Sequence, residues 1–307
     1  MERISISEVG PRDGLQSVKA TMPTAQKCAW IAALHAAGLR EIEVGSFVPA
    51  KLLPQLADTE AVVAFARTLS GLLVAALAPN ARGTERAIAA GVHKVTMPLS
   101  VSRSHSLANV RKPPEAMVEE IRQSCVRRDA ASSRPVIEVG LSTAFGCTIE
   151  GAVDESAVVR LAEAVLAAGA DELSLADTTG MANPTQVKRL TRKVRAVAGE
   201  RLTGVHLHNT YGLGLANALA AFAEGIRAFD SSQAGLGGCP YAPGATGNVV
   251  TEDLVYMFES MGVATGVDLA KLVEARRLLS EALPQEPLYG YLPAAGFPKN
   301  FPMAARS

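Results

Sequence analysis

LTGVHLHNTYGLGLANALAAFAEGIRAFDS, residues Leu202–Ser231, contains one complete strand–helix–strand unit. An apolar run, Leu202–Leu207, precedes a helical pattern, Ala216–Ala223, that stops before Gly225. A second short run, Ala228–Ser231, follows. Strands that alternate with helical segments predict a parallel sheet, in which each helix connects one strand to the next.

The same alternation extends along most of the 307 residues. Ala-Ala-Gly ends three of the predicted helices, at Gly38, Gly91 and Gly169, which indicates one repeated unit and not two domains. Eight units predict an α/β fold, a (β/α)8 TIM barrel over residues 1–284 with a short C-terminal extension, 285–307. We expect that tail to be extended and to lie on the barrel or at a subunit contact. The predicted strands are Ile4–Glu8, Glu41–Val44, Leu72–Leu77, Lys94–Pro98, Val136–Leu141, Glu172–Ala176, Leu202–Leu207 and Ala228–Ser231.

The composition excludes several classes of function. Hydrophobic residues make up 48% of the chain and charged residues 20%, which is typical of a folded protein with a large core. The 30 basic and 30 acidic residues balance, so we expect neither nucleic acid nor a membrane as a partner. Four widely spaced cysteines without a CxxC pair indicate no zinc cluster or disulfide framework, and a strand pattern close to Met1 indicates no signal peptide. We therefore expect a cytoplasmic protein.

Polar residues at the carboxyl ends of barrel strands are candidates for catalysis, since active sites of TIM barrels lie there. Arg12 and Asp13 follow the first strand in a turn rich in Gly and Pro, and alone they would indicate only a surface ion pair. His206 and His208 are two residues apart at the end of the seventh strand, so we expect their side chains to point the same way. Two adjacent imidazoles form half of a site for a divalent metal, and we favour this interpretation over the alternative, a hydrogen-bonded pair of histidines.

The segment after the eighth strand, Gly235–Asn248, is dense in glycine and could approach a ligand closely. It carries Cys239, which we expect on a mobile flap where a thiol could transfer protons, and it ends at Asn248, whose amide oxygen could bind a metal. A phosphate-binding loop is the alternative interpretation of this segment. Further candidates at the barrel mouth are Glu43, Ser142, Thr143 and Asp177.

Several motifs resemble those of 3-hydroxy-3-methylglutaryl-CoA (HMG-CoA) lyases, over about residues 3–285. The Arg-Asp pair and the His-x-His pair resemble those of a wider group of barrel metalloenzymes, whereas the Gly-Gly-Cys-Pro-Tyr sequence is much more specific and points to the lyases. The matching stretches are Glu8–Gln16 (EVGPRDGLQ), Ile42–Phe47 (IEVGSF), Pro54–Asp58 (PQLAD), Val205–Asn217 (VHLHNTYGLGLAN) and Gly235–Tyr256 (GLGGCPYAPGATGNVVTEDLVY).

The resemblance implies a carbon–carbon lyase that releases acetyl-CoA from a CoA thioester, acts in leucine degradation and forms a homodimer. It implies Mg²⁺ or Mn²⁺ as the metal. It also implies that Arg12 holds the thioester carbonyl oxygen and that Cys239 helps to protonate the product. The implied metal ligands are Asp13, His206, His208 and Asn248; further catalytic residues are Glu43 and Asp177; and the substrate contacts are Gln16, Ser142, Thr143 and Arg103.

Three positions depart from the family pattern. Asn209 stands where many relatives have Asp, Gly140 replaces a tyrosine, and Arg103 stands where Glu is expected. The lost tyrosine makes space, and Arg103 could bind an added carboxylate or a CoA phosphate. These changes indicate a larger or differently charged acyl group, or else ordinary divergence with the original substrate retained.

Three other functions are alternatives to the lyase. An acyl-CoA condensing enzyme, such as an isopropylmalate or homocitrate synthase, generally has a longer chain and a different loop after the eighth strand. A 2-oxoacid aldolase would use related chemistry. A non-catalytic barrel is disfavoured, because nothing structural requires four metal ligands at the mouth.

Overall fold

A computed structural model describes residues 2–237, 247–299 and 301, and it contains a closed eight-stranded parallel barrel. Each strand pairs with the next in sequence, and β1 pairs with β8 to close the ring. The predicted TIM barrel is therefore confirmed. The strands are β1 Ser5–Glu8, β2 Glu41–Ser46, β3 Leu73–Leu77, β4 Lys94–Ser100, β5 Val136–Ser142, β6 Glu172–Asp177, β7 Leu202–Leu207 and β8 Ala228–Ser231.

Helices surround the barrel, and their bounds differ by a few residues from the predicted ones. The third helix begins at Ala81, because the side chain of Asn80 accepts a hydrogen bond from the Gly83 N–H (2.9 Å) and caps the helix. The helices are α1 Thr24–Ala36, α2 Thr59–Ala66, α3 Ala81–Ala90, α4 Arg103–Val110, α5 Pro114–Ala130, α6 Glu155–Ala167, α7 Pro184–Ala198, α8 Gly214–Ala223, α9 Thr251–Ser260, α10 Leu269–Ala282 and α11 Tyr291–Ala295.

The hydrophobic core lies between the strands and the helices. In β5, Ile137, Val139 and Leu141 are fully buried on the outer face of the barrel. Trp30 of α1 is the largest fully buried side chain, and its indole N–H donates to Gln233 Oε1 (2.6 Å). Burial of this apolar layer drives folding and leaves the inside of the barrel free for other uses.

The inside of the barrel is polar, whereas most TIM barrels fill it with branched apolar side chains. Its floor is a buried ionic cluster in which Lys94 Nζ lies 2.9 Å from Glu41, 3.1 Å from Glu138 and 3.1 Å from Glu172. Above this floor, a cavity of about 610 Å³ extends to the turn that follows β1. This volume is within the range of about 300–1,000 Å³ that is usual for small-molecule sites.

The sequence pattern predicts an extended C-terminal segment, but part of this segment is helical. Tyr291–Ala295 forms the short helix α11, because the Asp253 carboxylate accepts the first N–H groups of that turn, from Tyr291 (2.9 Å) and Leu292 (2.8 Å). The segment also contacts the loop after β8, where the Tyr289 N–H donates to the Ala234 carbonyl (2.9 Å). Within the described residues, no helix combines the length and the apolar character needed to span a membrane.

Candidate active site

Three predicted metal ligands meet at the carboxyl end of the barrel. The Nε2 atoms of His206 and His208 lie 3.1 Å apart, and Asp13 Oδ2 lies 3.9 Å from each of them. Ligands on neighbouring corners of an octahedron are about 3 Å apart when each binds a metal at about 2.1 Å. The three side chains therefore have a spacing that can hold one divalent cation.

Local structure explains how these residues converge. Asp13 lies in one wide helical turn, Gly10–Gly14, in which the N–H groups of Arg12, Asp13 and Gly14 all point to the carbonyl of Val9. Such wide turns are rare and are common at functional sites.

His206 lies in β7, and His208 lies one residue past the end of that strand, whose bounds are the predicted ones. There His208 forms an isolated antiparallel bridge with Asn248, which brings the segment after β8 to the site. The bridge explains why Asn248, the fourth predicted ligand, lies next to the other three although it is distant from them in the sequence.

Asn248 is buried and completes the set. Its Nδ2 donates to Asp13 Oδ2 (2.7 Å) and to the Leu236 carbonyl (3.0 Å), whereas its Oδ1 is buried without a hydrogen-bond partner in the described structure. An unpaired buried acceptor is costly, and a bound cation would satisfy it. Two imidazoles, a carboxylate and an amide oxygen fit Mg²⁺ or Mn²⁺, whose other coordination positions water or substrate can occupy.

The environment sets the protonation of these ligands. Burial opposes the charge on Asp13, but Arg12, His206 and His208 outweigh it and lower the pKa of Asp13 to about 2. Burial and the neighbouring His206 lower the pKa of His208 to about 4. Asp13 is thus ionised and His208 neutral at pH 7, which are the states that a metal ion requires.

His206 differs from its neighbour because Asp230 faces it. Its Nδ1 lies 3.1 Å from Asp230 Oδ2. Burial acts against the charged imidazole, but the hydrogen bond and charge of Asp230 overcome it and raise the pKa of His206. A carboxylate on the far nitrogen also fixes the ring orientation, as in many metal sites.

Arg12 lies beside the ligand group and is held by two carboxylates. Its Nε donates to Glu43, its Nη1 lies 2.5 Å from Asp13 Oδ1, and Thr96 donates to the other oxygen of Glu43. Arg12 Nη2 makes no hydrogen bond to any described residue, and the side chain lines the cavity. The guanidinium therefore presents free donors to a ligand.

The other predicted site residues fall into two groups. Gln16 and Ser142 line the cavity, and Gln16 donates to Asp13 Oδ1 (3.3 Å). Thr143 and Asp177 are fully buried and are not part of the described lining. Thr143 ties β5 to α4 by accepting from the Ser102 N–H (3.1 Å), and Asp177 accepts from the Ala182 N–H (3.2 Å). Both thus shape loops around the site.

Arg103 does not reach the cavity in the described structure. It is exposed on the first turn of α4 and pairs with Glu115 of α5 (3.1 Å). Arg111 and Lys112, at the other end of α4, are the basic residues of that segment that line the cavity. Cys239 lies outside the described residues, so its predicted role stays a prediction.

Three residues of the site, Asp230, Thr96 and Ser174, were not predicted. Asp230 is the third residue of β8, Thr96 the third of β4 and Ser174 the third of β6, and all three line the cavity. A polar residue in the middle of a buried barrel strand was the available signal, because such a residue is costly unless it is paired or faces a ligand.

Comparisons with known proteins point to one group of enzymes. A model of the HMGL-like family matches residues 3–279. A hydroxymethylglutaryl-CoA lyase of Bacillus subtilis is 40% identical over 282 residues, which cover 92% of this chain and 94% of that protein. An (R)-citramalyl-CoA lyase of Chloroflexus aurantiacus is 41% identical over 295 residues, which cover 92% of this chain and 92% of that protein.

A solved structure shows the same likeness. An HMG-CoA lyase from Acinetobacter baumannii, in complex with coenzyme A and 3-methylmalate, superimposes with a TM-score of 0.90. The two chains are 39% identical, and the match covers 97% of this chain and 96% of the other.

Proposed function

The chain belongs to the HMGL-like family, and we propose that it is a divalent-metal-dependent lyase that cleaves HMG-CoA to acetyl-CoA and acetoacetate. The family match confirms the resemblance inferred from the sequence motifs. The observation that carries the proposal is the convergence of Asp13, His206 and His208, with the unpaired Oδ1 of Asn248, at the mouth of a cavity of suitable size.

The site residues account for retro-Claisen chemistry. A divalent cation held by Asp13, His206, His208 and Asn248 would lower the pKa of the substrate's 3-hydroxyl, as it does for water. Asp13, or a water beside it, accepts the hydroxyl proton. The electrons of the O–H bond then form the ketone of acetoacetate, and the C2–C3 bond breaks with its electron pair on C2.

Arg12 stabilises the charge that develops in this step. In this proposal its Nη2 donors, which make no hydrogen bond to a described residue, bind the thioester oxygen as it becomes negative in the enolate of acetyl-CoA. Glu43, fixed by Thr96, holds the guanidinium in that position. Protonation of C2 completes the reaction, and Cys239, or a water that it positions, is our candidate proton donor.

A turnover assay with a matched pair of histidine variants tests the proposal. With Mg²⁺ or Mn²⁺, the full chain should release acetoacetate from HMG-CoA, and His206→Ala should slow this by at least about a thousandfold, since several kcal/mol of charge stabilisation are lost. His35→Ala, a change at a partly exposed histidine that is hydrogen-bonded to the Ser70 carbonyl and does not line the cavity, should leave the rate unaltered.

Two results would overturn the assignment. One is a normal rate in His206→Ala. The other is cleavage of (R)-citramalyl-CoA, the substrate in the name of the Chloroflexus relative, with no cleavage of HMG-CoA. Association into the homodimer that the resemblance implies stays a prediction, to be checked by light scattering.

A further inference from the structure

The C-terminal segment contacts the loop after β8 through main-chain atoms. The Tyr289 N–H donates to the Ala234 carbonyl (2.9 Å), and the Tyr289 carbonyl accepts from Arg276 Nη1 of α10 (2.9 Å). The same Nη1 donates to Glu252 Oε1 of α9 (2.7 Å), whose other oxygen accepts from the Ala234 N–H (3.1 Å). These four residues form a closed ring of hydrogen bonds, which we call the C-terminal clamp.

The clamp holds Ala234 in an unfavourable conformation. Its φ of 59° and ψ of 14° are left-handed, which is costly for a residue that has a Cβ atom. Such a conformation persists only where the surrounding structure imposes it. Here both main-chain groups of Ala234 are bonded, to Glu252 and to Tyr289, and the residue is fully buried. The clamp therefore supplies the contacts that hold this turn.

The turn at Ala234 sets the direction of the Leu236 carbonyl. Only Gly235 separates the two residues, and it is closely packed. A Cβ atom on Gly235 would lie 3.4 Å from Tyr289 Cβ and 3.4 Å from the Asn248 carbonyl oxygen. The Leu236 carbonyl accepts from Asn248 Nδ2 (3.0 Å). A path of short contacts thus leads from the C-terminal segment to the Asn248 side chain.

The direction of the Asn248 amide matters for the metal. Its Nδ2 has two donors, and the acceptors are the Leu236 carbonyl and Asp13 Oδ2 (2.7 Å). The amide is planar, so these two bonds fix the direction of Oδ1, which is buried without a hydrogen-bond partner in the described structure. If the Leu236 carbonyl moved, the amide would be free to rotate and Oδ1 would leave the ligand group.

We propose that Arg276 and Tyr289 are positioning residues, which hold Asn248 Oδ1 toward the bound cation. This inference rests on the proposed function only for the presence of that cation. In the described structure neither Arg276 nor Tyr289 lines the cavity, so neither is placed to contact the substrate. Their contribution is therefore to the affinity of the site for the metal.

Removal of the Arg276 guanidinium tests the clamp. Arg276→Met removes the donor to the Tyr289 carbonyl and leaves the fully buried Glu252 without its cation. We expect the Mn²⁺ dissociation constant of the full chain, measured by calorimetric titration without substrate, to rise about tenfold, because groups that orient metal ligands usually have effects of this size. Arg276→Lys keeps a charged donor and should restore most of the affinity.

Two changes at Tyr289 separate the role of its main chain from that of its side chain. Tyr289→Pro removes the N–H that donates to Ala234 and should also weaken Mn²⁺ binding. Tyr289→Ala keeps both peptide groups and the Cβ atom, so it should leave the affinity unaltered. Arg277→Met is the control on α10, because Arg277 is exposed and pairs with Glu281 of the same helix. It should bind Mn²⁺ normally.

A double-mutant cycle distinguishes positioning from general stability. If Arg276 acts through the Asn248 amide, Arg276→Met should have little further effect on the Mn²⁺ dissociation constant once Asn248→Ala has removed that amide. A clamp that only stabilised the fold would weaken binding equally in both backgrounds. Thermal unfolding of each variant shows that it is folded at the temperature of the titration.

The outcomes separate this inference from the proposed function. Normal Mn²⁺ affinity in Arg276→Met, or equal losses in both backgrounds, would refute the positioning role even if HMG-CoA is cleaved. If Arg276→Met does not fold, equal affinities of Tyr289→Pro and Tyr289→Ala would refute it instead. The expected losses together with no turnover of any thioester would refute the lyase and keep the clamp. No Mn²⁺ binding by the unaltered chain would overturn both.

Discussion

At the scale of single residues, Asp230 shows how one carboxylate can tune the metal site. It lies 3.1 Å from His206 Nδ1 and holds the ring with Nε2 toward His208. We predict that Asp230→Asn weakens Mn²⁺ binding by about 10- to 100-fold, which is the usual effect of losing a carboxylate that is hydrogen-bonded to a metal-binding histidine. Calorimetric titration of the purified chain would measure this, and thermal unfolding would show that the fold is kept.

Asp268→Asn is the control for that experiment. Asp268 caps α10, pairs with Lys271 on the surface and does not line the cavity, so its loss should leave metal affinity unaltered. An equal effect in both variants would mean that Asp230 acts on general stability and not on His206.

The same residues show what a sequence can and cannot reveal about a site. Asp13 and the two histidines were predictable, because each stands at the end of a strand. Asp230 was missed because its pairing with His206 depends on the register of β7 against β8, which is a tertiary property. Arg103 was assigned to the substrate by its charge, but the direction of its side chain is set by Glu115 on another helix.

At the scale of elements, Glu8 joins β1 to the segment after β8. It is fully buried and accepts hydrogen bonds from the N–H groups of Gly10 (2.8 Å) and Gln233 (2.9 Å) and from the Thr251 hydroxyl (2.7 Å). Burial raises its pKa from 4.5 to about 8, although these hydrogen bonds lower it in part.

The raised pKa makes stability depend on pH. Between about pH 4.5 and 8, the folded chain keeps a proton on Glu8 that the unfolded chain has lost, so the free energy of unfolding falls as the pH rises. We predict that Glu8→Gln makes this fall shallower, as measured by urea unfolding at several pH values. Glu200→Gln, at a side chain that is 98% exposed, should keep the original slope.

The elements themselves were largely predictable from the sequence, and the errors have local causes. All eight strands were placed within two residues of their observed ends, since buried parallel strands form continuous apolar runs bounded by Gly, Pro or Asp. Strands β2 and β4 continue to Ser46 and Ser100, past the apolar run, because pairing with the neighbouring strand extends there. Helix α11 depends on Asp253, which no local pattern reveals.

At the scale of the whole molecule, the ionic floor closes one end of the barrel. Lys94 joins carboxylates from β2, β5 and β6. We predict that Lys94→Met lowers the free energy of unfolding by about 3–5 kcal/mol, because it leaves buried carboxylates without their cation. Chemical denaturation would measure the loss, and a change below 1 kcal/mol would contradict the prediction.

Lys271→Met provides the comparison. Lys271 pairs with Asp268 at 3.7 Å on an exposed side of α10, and such surface pairs contribute at most about 1 kcal/mol. The difference between the two variants would isolate the effect of burial from the effect of removing a lysine.

In this barrel the hydrophobic core lies between the strands and the helices, and this position separates the residues that stabilise the fold from those that face the ligand. Residues such as Gly140 and Ser174 contact the ligand space but contribute little to the apolar packing that keeps the molecule folded. Mutations there can alter which molecule is accepted while the scaffold persists. A new substrate specificity can therefore evolve through a few substitutions of inward-facing residues. Such substitutions do not require the additional stabilising mutations that changes in a packed core require.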